Sequence, residues 1–164
     1  MLICDALVAP RRVLALTAAV AVALSLCAQA RPASLTRREA SLLSAMNEVR
    51  ASDGLRPLRI DRRLEGAARR HSRKMLQLQT LFHGNFARRI RRVGIRAPRV
   101  GENLAWGSGP LASARSIVNM WLASPEHRAN LLHAGYRTVG VGVRSGSFSG
   151  YAGAVLITTD FAGR

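Results

Sequence analysis

The chain has 164 residues, 48% of them hydrophobic, and a formal net charge of +16 from 25 basic and 9 acidic side chains. That length suits one core of ordinary size, and the absence of repeats, of low-complexity tracts and of any apolar run near spanning length after residue 30 excludes a repeat array and a multi-span membrane protein. The charge favours polyanionic partners; every basic residue except Lys74 is arginine, a skew that a genome-wide codon bias would also produce.

The N-terminus reads as an export signal. Arg11-Arg12 ends a charged region, Val13 to Leu26 is almost wholly apolar, and Ala28-Gln29-Ala30 supplies a small-x-small cleavage pattern. The apolar run falls short of the about 20 residues a spanning helix needs, which disfavours an uncleaved anchor. Lipidation at Cys27 is disfavoured by Leu24-Ser25-Leu26, which places bulky leucines before the cysteine. Residues 1–30 are therefore expected to be a signal peptide, 31–38 a tether and 39–164 the domain. Cys4 and Cys27 leave with the signal, so the exported domain holds itself by packing alone.

Thr36-Arg37-Arg38-Glu39 has the pattern of a capping box, and Leu42, Leu43, Met46 and Val49 follow at helical spacing. Asp53-Gly54 stops this helix, and Leu55 to Ile60 is an extended connector. Asp61 caps a second helix with Leu64, Ala67, Ala68, His71, Met75 and Leu78 on one side and Arg62, Arg63, Arg69, Arg70, Arg73 and Lys74 on the other. His71 lies in the apolar stripe and reads as a hydrogen-bonded core histidine. A short basic helix carries Phe86, Ile90 and Val93 among Arg88, Arg89, Arg91 and Arg92, and Gly94 closes it. Gly101 to Gly107 is a glycine-bounded segment with one carboxylate, Glu102. A third long helix is expected over Pro110 to Leu122, and Ser124-Pro125 starts a short one carrying His127, Arg128 and Asn130. Thr138 to Arg144 and Tyr151 to Phe161 have strand character, joined by a turn-rich Ser145 to Gly150. Helices first and an antiparallel pair last point to an α+β fold.

No local metal, phosphate-loop or nucleophile-elbow motif is present, so any site must be assembled from distant segments. His83, Glu102 and His127 stand out by context. Two imidazoles and a carboxylate suit a divalent metal such as zinc with a position left for water. Equally, Glu102 could cap backbone amides while the histidines pack.

The ordered set A-x-x-H-S-x-x-M (Ala68 to Met75), Phe82-His83, G-E-N-L-A-W-G (Gly101 to Gly107), W-L-A-S-P-E-H-R-A-N-L-L (Trp121 to Leu132), G-V-G-V (Gly140 to Val143) and T-T-D-F (Thr158 to Phe161) resembles the bacterial branch of the CAP superfamily. That superfamily includes cysteine-rich secretory proteins, venom antigens and plant pathogenesis-related proteins. The resemblance implies an α-β-α sandwich with a small antiparallel sheet and a cleft of histidines and acids that can bind a divalent metal. It places His83 and Glu102 in that cleft, with His127 from the S-P-x-H-R-x-N motif. Ser124 stands where the animal and plant branch has a glutamate, and the last strand lacks that branch's second histidine. Asn103, Arg128 and Asn130 would brace the site; Glu126 is a solvated acid at a helix start, and His133 has no role.

Three functions follow as alternatives. The first is an exported, periplasmic or secreted binding module whose His/Glu cleft takes a small molecule, lipid or envelope component. The second is a metal-assisted hydrolase of peptide or glycan. The third is a binder of polyanions or anionic lipid through Arg62, Arg63, Arg69, Arg70, Arg73, Arg88, Arg89, Arg91 and Arg92. Specific nucleic-acid binding is not expected, because aromatic residues do not interleave with the arginines, and no membrane span remains after signal cleavage.

Overall fold

The computed structural model describes residues 34–164, which form one compact unit. The expected signal peptide lies outside the described residues. Helix α1 (Arg37–Ser52) begins at the expected Thr36–Glu39 capping box, both halves of which form. After it come β1 (Arg59–Ile60), α2 (Arg62–Leu78), α3 (Phe86–Arg92), β2 (Arg99–Gly107), α4 (Ala114–Ala123), α5 (Pro125–Leu131), β3 (Tyr136–Phe148) and β4 (Tyr151–Gly163).

The four strands form one sheet in the order β1-β3-β4-β2. It is antiparallel except for β1, which pairs parallel to β3 through Arg59 with Thr138 and Ile60 with Val139. The expected connector over residues 55–60 thus donates a short edge strand. The G-E-N-L-A-W-G segment is strand β2, the opposite edge, paired along its whole length with β4. The hairpin joining β3 and β4 is tighter than expected. Ser145 to Phe148 stay in the ladder, and only Ser149 and Gly150, both at positive φ, make the turn. The third long helix also differs: Gly109–Ala112 is a single 3-10 turn, and Ser113 then caps α4 by accepting from the Ser116 amide.

Helices cover both faces of the sheet. On one side Leu42 and Met46 of α1, Ile117, Val118 and Trp121 of α4 and Leu131 of α5 pack on Val139, Val141, Val155, Ile157 and Phe161. On the other side α2 lies flat across β3 and β4. Gly140 and Gly142 permit this: a Cβ at either would stand within 2.3 Å of the α2 backbone at Leu64 or Ala68. The G-V-G-V pattern therefore encodes a close helix-on-strand approach. Ser72 of α2 fastens the contact by donating to the Gly142 carbonyl and accepting from the Thr158 hydroxyl, each at 2.9 Å. Arg50, fully buried without an acid beside it, donates to the carbonyls of Arg56, Leu131, His133 and Tyr136 and so ties α1 to the turn before β3.

Candidate functional site

Side chains alternate across a strand, so β2 sends the adjacent Glu102 and Asn103 to opposite faces of the sheet. Glu102 points to the α2–α3 side. Asn103 points to the α5 side, where it donates to the His127 carbonyl at 2.9 Å and accepts from Asn130 at 3.0 Å. Asn130 also donates to the Glu102 carbonyl at 3.1 Å. These amides bind α5 to the edge strand and fix the backbone on which Glu102 rides. Arg128 is exposed.

Glu102 is buried among partners from three segments. Its Oε1 lies 2.6 Å from Nδ1 of His83, which follows α2. A carboxylate can only accept, so Nδ1 carries the proton and the other edge of the ring stays free. The His83 side chain is 59% exposed, which makes it the solvent-facing part of the pair. Glu102 Oε2 accepts from the guanidinium of Arg89 on α3. Arg89 also donates to the His83 carbonyl at 3.0 Å and lies 3.4 Å from Oδ1 of Asp160. Asp160 sits opposite Glu102 in the β2–β4 register and is wholly buried. Burial pushes its carboxyl up to about 7, with Arg89 pulling the other way. His71 stands behind Glu102, its Nε2 donating to the Phe82 carbonyl at 2.7 Å and 3.9 Å from the carboxylate. Burial, helped by the nearby Arg89, pushes His71 down to about 4, so the ring is neutral at ordinary pH. The core reading of His71 agrees with this geometry, which also makes it a wall of the cleft.

His83 and Glu102 are therefore brought together, whereas His127 does not join them as a ligand. It rides on α5, beyond the sheet edge, and its Nδ1 is hydrogen-bonded to Ser124 Oγ at 2.8 Å. Burial and the charge of His83 hold its pKa below the ordinary value. Among the described residues no three His, Cys, Asp or Glu side chains are grouped to hold a metal ion. The expected His83, Glu102 and His127 metal set does not form, because Arg89 takes the second oxygen of Glu102 and His127 Nδ1 is engaged by Ser124, although His127 stays near enough to feel the charge of His83.

A groove of about 390 Å³ opens beside His83, bounded by α2, the Phe82–Asn85 loop and α3. Its rim carries Arg70, Lys74, Arg88 and Arg92, with Arg89 and His71 deeper and no acid among its lining residues. The four rim cations are exposed and form no ion pair among the described residues. Of the other arginines on these two helices, Arg62 pairs with Glu65, Arg63 with Asp61, and Arg69 with Glu39 and Glu65, whereas Arg73 and Arg91 are exposed and make no ion pair among the described residues.

Residues 43–161 match the model of the CAP family, described as the cysteine-rich secretory protein family. This chain belongs to the CAP family. It is 32% identical over 122 residues to the uncharacterized protein YkwD of Bacillus subtilis, a match covering 71% of this chain and 46% of YkwD. An outer surface protein of Borrelia burgdorferi superposes with a TM-score of 0.64 at 25% identity, covering 75% of this chain and 90% of that one. An extracellular protein containing an SCP domain from Bacillus anthracis gives a TM-score of 0.66 at 23% identity, over 80% of this chain and 45% of that protein. The chain spans about half the length of the curated relatives it matches. Among its described residues no helix is long and apolar enough to cross a membrane.

Two residues of this CAP cleft escape a reading of the sequence: Arg89 and Asp160. Asp160 belongs to the T-T-D-F motif, but only strand register reveals that it faces Glu102. Arg89 is one of four arginines in α3. Its position three residues after Phe86 and one before Ile90 puts it on the apolar stripe, and that phase is the signal that separates it from Arg88, Arg91 and Arg92.

Proposed function

We propose that this CAP domain is an exported binding module whose cleft takes the anionic group of an extracytoplasmic ligand. One observation carries the reading: the groove next to His83 is rimmed by four unpaired cations, and no acid is among its lining residues. A concave wall of one sign focuses the field and concentrates counter-charged ligands. Glu102, which does not line the groove, is matched by Arg89 and His83, so it opposes an incoming anion little. The uncovered imidazole edge of His83 then offers a hydrogen bond beside the charges. Small anions, lipid headgroups and envelope polymers share this chemistry. Placement outside the cytoplasm rests on the signal-like residues 1–30 and on the kinship with outer-surface and extracellular proteins.

Co-sedimentation with phosphatidylglycerol vesicles, compared with phosphatidylcholine vesicles, tests the reading. Basic residues near an anionic membrane contribute about 1 kcal/mol each, so Arg70→Gln/Arg88→Gln/Arg92→Gln should lower partitioning roughly 100-fold. Competition by pyrophosphate separates headgroup from free-anion recognition. Equal partitioning of wild type and triple variant, together with no pyrophosphate binding, would sink the proposal.

One contact favours a second reading, in hydrolysis. A carboxylate that orients a solvent-facing imidazole is the geometry of a general base, with the open nitrogen of His83 aimed at a water or hydroxyl. On that reading the purified protein releases soluble fragments from cell-wall material and His83→Ala does not. Absence of turnover by wild type on peptide and glycan substrates removes it.

A further inference from the structure

We propose that the Arg89 guanidinium is the resident cation of this cleft, standing where a divalent metal would have to bind, so that this CAP domain works without a metal ion. Arg89 leaves the solvated side of α3: its side chain is 17% exposed, whereas Arg88, Arg91 and Arg92 lie at the surface. Inside, it is bound by Glu102, reaches Asp160 and donates to the His83 backbone. One fixed positive charge thus lies against the two carboxyl groups that β2 and β4 set opposite each other.

Both oxygens of Glu102 are committed, which leaves Nε2 of His83 and Oδ2 of Asp160 as atoms that a metal could take only beside the Arg89 charge. Oε1 of Glu102 accepts the Nδ1 proton of His83, and Oε2 accepts from Arg89. Nδ1 of His83 and Nε2 of His71 are protonated, since each donates to an oxygen, and a protonated ring nitrogen has no lone pair for a metal. A dication would have to displace Arg89 or sit beside it, and two cations sharing one carboxylate repel strongly in a buried setting. Arg89 therefore performs the structural work of an ion, neutralising buried carboxyls and joining α3 to the sheet. Unlike an ion, it cannot exchange or be removed by chelation. The inference is independent of the nature of the cleft's ligand, because it concerns zinc and Arg89 alone.

Zinc titration of the purified full chain tests it, read by calorimetry and by cobalt(II) absorption. Wild type and Arg89→Lys, which keeps a cation, should show no one-to-one site. Arg89→Ala should gain one, at least about tenfold tighter than any zinc binding by wild type, and Glu102→Gln added to it should remove the gain. If Arg89→Ala folds only when zinc is supplied, and not with magnesium, the gain is seen as zinc-dependent recovery of circular dichroism. The proposal fails if wild type binds one zinc as tightly as Arg89→Ala and loses it on His83→Ala. It fails equally if Arg89→Ala, folded or refolded with zinc, gains no site.

Discussion

Glu39 and Glu102 are both buried carboxylates that meet an arginine, yet their surroundings lead to different uses. Around Glu39 the network is nearly closed: both of its oxygens are hydrogen-bonded, and only the neighbouring Glu65 Oε1 is left with an ion pair and no hydrogen bond. Arg69 reaches it through Nε at 2.8 Å and Nη2 at 2.5 Å, Thr36 donates its amide at 2.9 Å, and Glu65 meets the same guanidinium at 2.7 Å. Burial alone would raise the Glu39 pKa, but the hydrogen bonds from Arg69 and Thr36 outweigh it and hold the group below its ordinary value. Around Glu102 the network is open. His83 is largely in solvent, and Asp160 Oδ2 and Arg89 Nε lack a partner among the described residues. A charged cluster that satisfies itself holds the fold, whereas one that presents an exposed imidazole to a basic groove has capacity left for a ligand.

That contrast can be broken from the closed side first. Glu39→Ala strips Arg69 of its bidentate partner and should cost about 3–5 kcal/mol in denaturant unfolding, with vesicle binding by the folded protein unchanged. The next effect is in the pH dependence of the cleft wall. His71 takes up its proton near pH 6.5 when unfolded but only near pH 4 when folded. Stability is therefore lost as pH falls through that window, by about 3 kcal/mol. Asp160 acts in the opposite sense, because its folded carboxyl holds a proton up to about 7 against 3.8 unfolded. Its contribution is present at low pH and is lost as pH rises between those values. His71→Gln should accordingly remove the acid-side loss, and Asp160→Asn the opposing slope, both measured as urea midpoints against pH.

Thr36→Ala, which removes one hydroxyl of the closed network, should cost about 1 kcal/mol as a lost helix cap. The smallest effect on stability belongs to the rim. Arg70→Gln/Arg88→Gln/Arg92→Gln should leave the unfolding midpoint within about 0.5 kcal/mol per site of wild type while binding collapses. A stability loss as large as that of Glu39→Ala would mean that the rim arginines hold the fold and that the contrast is false.

How far the sequence discloses these features depends on whether a residue's neighbours are local. The helices and the terminal hairpin follow from period and local signals: Thr36 with Glu39 and Asp61 cap α1 and α2, and Pro125 opens α5, where Ser124 holds the N-cap position but its hydroxyl binds His127 in place of a backbone amide. Strand β2 hides because helices cover both of its faces and five successive residues, Gly101 to Ala105, are buried, which erases the alternation that marks a strand. For the site, the motif resemblance leads to His83 and Glu102, which do meet. It also suggests His127, whose Nδ1 is instead engaged by Ser124 at the start of its own helix. The Arg89–Asp160 part depends on β2–β4 register and on the phase of a seven-residue helix, and composition records only one more arginine in a basic run.

The most direct test of the central claim is a pyrophosphate titration of the uniformly labelled protein followed by nuclear magnetic resonance. The cleft account predicts saturable shifts of the His83 ring and of the Gly84 and Asn85 amides, reduced at high salt and absent in the Arg70→Gln/Arg88→Gln/Arg92→Gln variant. Shifts that instead appear at the separate arginine-bearing groove around Arg56, Arg96 and Arg137, with the His83 signals unmoved, would contradict it.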